Sequence, residues 1–396
     1  MKTTKIRVVT EAEEFASLKA VWNRLLQKCG ESNSIYLTHE WLSIWWRHFG
    51  EGKKLNILLI EQEHQVIGIV PLMKVECRIA VIKIHVLETI GSVNCNYIGF
   101  ILPECMEDAM TAFLAYLEEE LAKNRLLLRL NLIPEESLFL NRLQKHAVPL
   151  SKNILIQEKA TTLAPYVKLP ASWDDYFSSL SRRRRKVLRR ALRSLKKRHG
   201  VNLQEYTSES LDEGLSKFFD LHQSRWRAVN VRGAFSNPKM KEFYKDIASQ
   251  FLKNKWLYFT CLSADNEPVS IEYGFIYNQK LYSTTVARDI RYSEYSVGHL
   301  HRLFQIDYAI KRHLRELDFL RGDEPYKFHW TKSARRYIQV MIKRNGFGSR
   351  LSLRLIRLYF RLLEISQYNL KEIYSLYMIK RREKKQKKEM GLDRLI

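Results

Sequence analysis

The residues best suited to chemistry are Asp323, Glu324 and Tyr326, in the run Asp318-Phe319-Leu320-Arg321-Gly322-Asp323-Glu324-Pro325-Tyr326-Lys327, with Trp330 just beyond. Adjacent carboxylates can take a proton from an attacking nucleophile, and a phenol can return one to a leaving group. Arg321, Lys327 and Trp330 would then hold the substrate, an anionic one. Gly322 permits a sharp turn and Pro325 fixes the backbone after it. The plain alternative is a salt-bridged loop that closes a domain, because structural ion pairs also concentrate charge.

The elements that must position these residues come just before them. A helix is expected over 300–315, then a short apolar strand that breaks at Gly322; strand ends are where α/β proteins place chemistry. Upstream, three strands are expected at 255–262, 269–277 and 281–287. Glu272 lies on the central one. Burial there would raise its pKa and suit it to proton abstraction, whereas strict alternation would turn it outward. After the third strand the chain reads Tyr295-Ser296-Val297-Gly298-His299-Leu300. A strand, a glycine turn and a helix start leave free N–H groups, so Ser296, Val297, Gly298, His299 and Leu300 form a candidate anion site; an ordinary helix cap is the alternative. On an earlier helix, at 210–228, His222 shares a face with Phe218 and Arg225. His222 and Arg225 are candidate substrate contacts, or His222 is a structural hydrogen-bonding group.

Charge gives a second signal. The 396 residues hold 67 Lys and Arg against 43 Asp and Glu, a net charge of +24. Such a balance implies polyanionic company: nucleic acid, anionic lipid or a phosphorylated cosubstrate. The densest run is Ser181 to Gly200, where Leu188, Ala191, Leu192 and Leu195 make one apolar stripe and the other faces are cationic. It reads as a helix that docks an anion or simply presents a solvated basic face. No aromatic residue interrupts it, which argues against single-strand nucleic-acid binding.

The first half is mixed α/β. Helices are expected at 11–29, after Thr38, at 109–122 and at 135–144, with strands at 55–60, 66–73, 79–87, 97–102, 126–132, 154–158 and 166–169. "LNILLIEQEHQVIGIVPL" and "LYFTCLSADNEPVSIEYGF" share a strand, an acidic turn and a second strand, so two copies of one domain are the economical explanation. The expected division is 1–165, 166–345 and a tail, 346–396. Five cysteines without C-x-x-C pairing argue against a disulfide scaffold and a zinc site; no metal is expected. With no apolar h-region near Met1 and no uncharged spanning run, a cytoplasmic location is expected.

The second half resembles the GNAT-type acyltransferases of the CelD/BcsL-like branch, associated with cellulose and exopolysaccharide biosynthesis. It is more distantly similar to the Fem-type aminoacyl transferases of peptidoglycan synthesis. The matching stretches are "SWDDYFSSLSRRRRKVLRRALRSLKKRHG", "FFDLHQSRW…GAF", "YSVGHL" and "DFLRGDEPYKFHW", with "HEWLSIWWRHFG…IGIVPL" in the first half. The resemblance implies tandem GNAT-like domains and an acyl-CoA donor, acetyl-CoA or another, with its pyrophosphate at Ser296 to Leu300. The usual GNAT phosphate loop, Gln/Arg-x-x-Gly-x-Gly/Ala, keeps only Gly298 here.

The tail carries leucines around an Arg350-Arg354-Arg357-Arg361 stripe, then the polybasic run Lys380 to Lys388. It reads as an element lying on the inner, anionic membrane surface, or as helices packed on the domains. The expected function is N-acyl transfer from acyl-CoA to an amino group of a cell-envelope or polysaccharide precursor. The alternatives are a Fem-like transferase using aminoacyl-tRNA, and a non-catalytic adaptor of polysaccharide synthesis at the membrane.

Overall fold

In this computed structural model the described residues are 4–79, 82–92, 95–97, 99–103, 107–123, 126–147, 152–346, 349–366 and 370–390. The break expected at Phe347-Gly348 and the thiol of Cys105 lie outside them. The first stretch holds β1 (Thr4–Val9), α1 (Ala12–Ser17), α2 (Lys19–Gln27), α3 (His39–Phe49), β2 (Lys54–Gln62), β3 (Gln65–Ile79) and β4 (Ile82–Thr89). Next come α4 (Glu107–Lys123), β5 (Leu126–Pro134), α5 (Leu138–Ala147), β6 (Ile154–Lys168), α6 (Trp173–Ser179), α7 (Arg182–Arg198) and β7 (Val201–Glu205). Then follow α8 (Leu211–Arg227), α9 (Pro238–Lys253), β8 (Leu257–Ala264), β9 (Glu267–Tyr277), β10 (Lys280–Arg288) and α10 (Val297–Lys311). The chain ends with β11 (Glu316–Asp318), β12 (Ala334–Arg344), α11 (Ser349–Ser366) and α12 (Leu370–Glu389).

Two units divide these elements: Met1–Thr162 with Arg335–Gln367, and Leu163–Ala334 with Tyr368–Ile396. In the first, β1 to β4 are antiparallel neighbours, β4 pairs parallel with β5, and β5 pairs antiparallel with β12. In the second, β7 to β10 are antiparallel, β10 pairs parallel with β11, and β11 pairs antiparallel with the end of β6. Each unit therefore repeats one plan: four antiparallel strands, a helix, and a fifth strand parallel to the fourth. The sixth strand of each comes from far along the chain. The hairpins share turn chemistry too. Glu63-His64, Asp265-Asn266 and Asn278-Gln279 all have positive φ at both central residues, the two-residue turn whose twist matches the strands.

Helix starts follow the sequence. Thr38, Ser172, Ser181 and Asn237 each accept a backbone N–H of the following turn, and Pro238 fills the first position of α9. Helix α7 ends one residue earlier than a glycine cap would give: His199 is extended, and the Gly200 N–H donates to Asp265 Oδ1 at 2.7 Å. The helix expected at 300–315 runs instead from Val297 to Lys311, bounded by left-handed Ser296 and His313. Asp318 closes β11 instead of opening a strand. The segments expected at 154–158 and 166–169 are one strand, β6. In place of a strand at 97–102 there is a bridge between Ile69 and Ile101, with residue 98 outside the described set.

Residues 346–396, a single tail in the sequence, hold two helices, one in each unit. Helix α11 lays Leu353 and Ile356 against Cys77, Val86, Leu127 and Met341 in the first unit. Helix α12 belongs to the second, where Glu372 accepts the Arg232 backbone N–H at 2.8 Å and its guanidinium at 2.9 and 3.0 Å. In the core of the second unit, Leu188, Leu281, Ile306, Leu317, Phe319 and Trp330 pack into one cluster.

Candidate functional site

The second unit opens a wedge between two parallel strands. β10 and β11 pair only at Lys280↔Glu316, Leu281↔Leu317 and Tyr282↔Asp318. β10 then continues to Arg288, while the chain leaves β11 through left-handed Leu320 and Gly322. The turn is held from inside. Asp318 Oδ1 accepts the Leu320 N–H at 2.7 Å. The Lys327 ammonium donates to the carbonyls of Leu320, Arg321 and Gly322 at 3.3, 2.8 and 3.2 Å and pairs with Glu324 at 2.9 Å. Burial lowers the Lys327 pKa, and the Glu324 carboxylate offsets part of that. Lys327 thus spends its donors on the loop itself.

On one side of the wedge Glu272 is fully buried on β9. Its Oε1 accepts Ser283 Oγ at 2.5 Å, Arg302 Nη1 at 2.9 Å and Gln305 Nε2 at 3.1 Å. Its Oε2 has no hydrogen-bond partner among the described residues. Burial lifts this carboxyl above the usual range, with Arg302 pulling it back. The next residue, Tyr273, faces the opposite side of β9 and donates to the Tyr244 carbonyl at 2.9 Å, so alternation along the strand turned Glu272 toward α10 and not toward solvent. Arg302 sits 5.1 Å from the Phe319 ring centroid.

Across the wedge stands Tyr326, with 44% of the residue exposed. Its hydroxyl is pushed up to about 12, first by desolvation and then by the Glu324 and Glu272 carboxylates, so it is protonated at neutral pH. Asp323 pairs with Lys387 of α12. Glu383, on the same helix, is raised by burial and by Glu324 and Asp323. Arg225 is lowered by burial and by nearby Arg288, with Tyr326 and Glu383 offsetting, and has no carboxylate ion-pair partner among the described residues. The loop, Glu272, Arg225 and the last helix therefore converge.

The second cluster lies at the start of α10. Ser296 adopts φ 52° and offers no side-chain cap. His299 and Leu300 donate to the Ser296 carbonyl at 2.8 and 3.2 Å, which leaves the Val297 and Gly298 N–H groups outside the helix ladder. The Val297 and Leu300 side chains are core residues, so any part they play here is through the backbone. A Cβ on Gly298 would meet Arg288 Cδ at 3.5 Å, which places an arginine stem beside this helix end. Arg184 Nη2 lies 2.9 Å from His299 Nδ1, its guanidinium is 4.5 Å from the Trp330 ring, and its buried Nε has no hydrogen-bond partner among the described residues. Burial and Arg184 hold His299 down to about 3. An uncharged imidazole, an arginine and a bare helix start are suited to a phosphate group.

His222 stands apart. Its Nε2 accepts Trp226 Nε1–H at 3.1 Å, and burial lowers it to about 4. It is a neutral acceptor packed edge-on against Phe235. Arg321 is exposed on the loop. Sequence reasoning missed Ser283, Arg288, Arg302 and Gln305, as well as Glu383 and Lys387. The signal for Arg302 and Gln305 was present: polar residues one and two turns past Gly298, which the helical period sets on one face. Among the described residues no group of three or more His, Cys, Asp or Glu could hold a metal ion, and no helix is long and apolar enough to cross a membrane.

Residues 182–328, which contain α7, β7 to β11 and the loop, match the acetyltransferase (GNAT) domain family. FemX superposes with a TM-score of 0.58 at 10% identity, over 86% of this chain and 97% of that one. A conserved protein of unknown function from Bacteroides thetaiotaomicron gives 0.54 at 10% identity, over 85% and 100%. The C-terminal domain of a protein assigned as a lysylphosphatidylglycerol synthetase, from Agrobacterium fabrum, gives 0.50 at 9% identity, over 88% and 97%. No curated protein matches the sequence. At these identities the superpositions speak for the fold, a mixed α/β arrangement of GNAT-like units.

Proposed function

We propose that the chain is an N-acyltransferase that moves an acyl group, acetyl or longer, from acyl-CoA to an amino group of a cell-envelope or polysaccharide precursor. The observation that carries this reading is the uncapped start of α10 beside the wedge, with Arg184 and Arg288 next to it and no carboxylate pairing with either among the described residues. A thioester donor would set its pyrophosphate there and lay its pantetheine along the unpaired part of β10. The match of residues 182–328 to a GNAT domain supports the donor class.

In this reading the acceptor amine attacks the thioester carbonyl carbon, the C–S bond breaks, and the thiolate leaves. The amine proton passes to Glu272, directly or through one water. Glu272 suits the role because burial raises its pKa and Oε2 lacks a donor. Tyr326 protonates the departing thiolate. Asp323 and Glu324, each tied to a lysine, shape the acceptor side. Arg225 and Arg321 border the acceptor and meet its anionic part, while Trp330, buried in the core and stacked on Arg184, backs the donor side.

The Fem-like alternative draws on a specific surface. Eight exposed cations of α7 (Arg182, Arg183, Lys186, Arg189, Arg190, Arg193, Lys196 and Lys197) have no carboxylate ion-pair partner among the described residues, a face that suits the backbone of an aminoacyl-tRNA. A location at the inner face of the membrane fits either donor, since the expected acceptors are envelope precursors. The experiment is to follow free-thiol release from acetyl-CoA in the presence of amino sugars and nucleotide amino sugars. Acceptor-dependent release supports the acyl-CoA reading. Transfer from aminoacyl-tRNA without thiol release would replace it with the alternative.

A further inference from the structure

Helix α11 carries two apolar faces, and only one is packed. Leu353 and Ile356 are buried in the first unit. Arg357, part of the arginine stripe in the sequence, turns the same way: its Nε donates to Gln339 Oε1 at 3.2 Å. On the other side Leu351, Leu355, Leu358, Leu362 and Ile365 are 61, 53, 52, 56 and 42% exposed. Their spacing of four, three, four and three residues draws one straight stripe along the helix. From Leu351 to Ile365 it is roughly 21 Å long at the helical rise. Scattered exposed leucines are ordinary, but an unbroken row on one helix marks a surface that meets something.

The edge of the row says what it meets. Arg350, Arg354 and Arg361 recur along one flank at intervals of four and seven, and none has a carboxylate partner among the described residues. A helix seeking a second copy of itself would place both signs of charge beside its apolar seam. Among the described residues this flank carries only cations.

We propose that α11 is a membrane-surface helix, with the Leu351–Ile365 row inserted at the headgroup–acyl boundary of an anionic bilayer and Arg350, Arg354 and Arg361 on lipid phosphates. Aliphatic insertion provides the affinity, and the arginines select anionic lipid. The inference stands independently of the acyl-transfer reading, since it uses no residue of the wedge.

The test is co-sedimentation of the full chain with vesicles of phosphatidylcholine alone and with phosphatidylglycerol added, in low and high salt. The wild-type chain is expected to bind the anionic vesicles and not the neutral ones. Leu355→Gln/Leu358→Gln, which keeps every charge, is expected to lose more than about tenfold in binding with an unchanged thermal transition. Arg350→Gln/Arg354→Gln is expected to bind more weakly and to lose the lipid preference. Full binding by the leucine variant would overturn the proposal, because the other basic surfaces would then suffice. No vesicle binding, with a dimer that the leucine variant dissolves, would also overturn it and assign the row to a second copy.

Discussion

Arg302 donates to the Glu272 carboxylate at 2.9 Å, with Glu272 fully buried and Arg302 4% exposed. Removing one member of such a pair strands a charge, while replacing both with apolar residues of similar size need not cost stability. Glu272→Met and Arg302→Met alone are each expected to lose about 3 kcal/mol of stability, and the double variant to recover most of it. Acceptor-dependent turnover should stay lost in the recovered double variant. Thermal unfolding beside a turnover assay separates the two effects; a stable, active double variant would remove Glu272 from the proton path.

Glu272 also sets a pH limb. Its carboxyl is raised by burial, so the activity that needs its ionised form should appear only as pH rises above the ordinary carboxylate range. A kcat profile whose acid limb lies near the usual value of about 4.3 would contradict that.

Three buried histidines make a stability prediction. His222 is lowered to about 4, and His299 and His301 to about 3, chiefly by burial. His301 is held between Thr260 Oγ1 at 2.8 Å and Ser270 Oγ at 3.0 Å. Their unfolded pKa is about 6.5. Below that value the unfolded chain takes up protons that the folded chain refuses, so stability present above pH 6.5 is lost as pH falls toward 4. Each can cost up to about 1.4 kcal/mol per pH unit in that window. Urea unfolding at pH 7.5, 6 and 5 should show a progressive fall, and a flat response would mean that these rings ionise in the folded state.

The last helix is tied down at both ends. Glu372 is 2% exposed and takes three donors from Arg232, while Lys387 reaches Asp323 in the loop. Glu372→Ala should loosen the start of α12 and expose Lys380 to Lys388 to trypsin at least about tenfold faster, as a loss of about 1.5–3 kcal/mol of charge-assisted bonding implies. Lys387→Ala should leave proteolysis at the helix start unchanged while altering acceptor KM through Asp323. Limited proteolysis and steady-state kinetics distinguish the two outcomes.

Gly322 has φ 115°, where L side chains are strained, and a Cβ there would run into the Glu324 carboxylate. Gly322→Ala is expected to cost about 1–3 kcal/mol and to push Glu324 off Lys327. An unchanged melting temperature and unchanged turnover would mean that the loop relaxes freely.

Much of this was legible beforehand. Hairpin turns, N-caps and the apolar stripe of the Arg182–Arg198 helix are local features, and local features read well from types and spacing. The focal loop was legible as a charged turn, but not the choice among its charges. That Lys327 points inward to three carbonyls depends on the left-handed turn at Leu320 and Gly322, which only Gly322 announced. Glu272 was caught between two readings because alternation along a strand does not say which face is covered. The exchange of β12 and the end of β6 between the sheets carries no local signal, since strand partners lie far apart in sequence. The run Lys380 to Lys388 read either as a membrane-surface element or as part of a helix packed on the domain, because a charge run gives no hint that Lys387 has an aspartate partner.

Isothermal titration of acetyl-CoA and CoA tests most directly whether the start of α10 takes the phosphates of an acyl-CoA donor. A Cβ at Gly298 meets only ordinary contact, so Gly298→Ala should fold and still bind. Gly298→Glu puts a carboxylate where the helix dipole favours one, so it should also fold, but with the anion site filled. Saturable binding is expected to the wild-type chain and to Gly298→Ala, and none to Gly298→Glu. Equal binding by all three, or none by a well-folded wild-type chain, would contradict that placement of the donor.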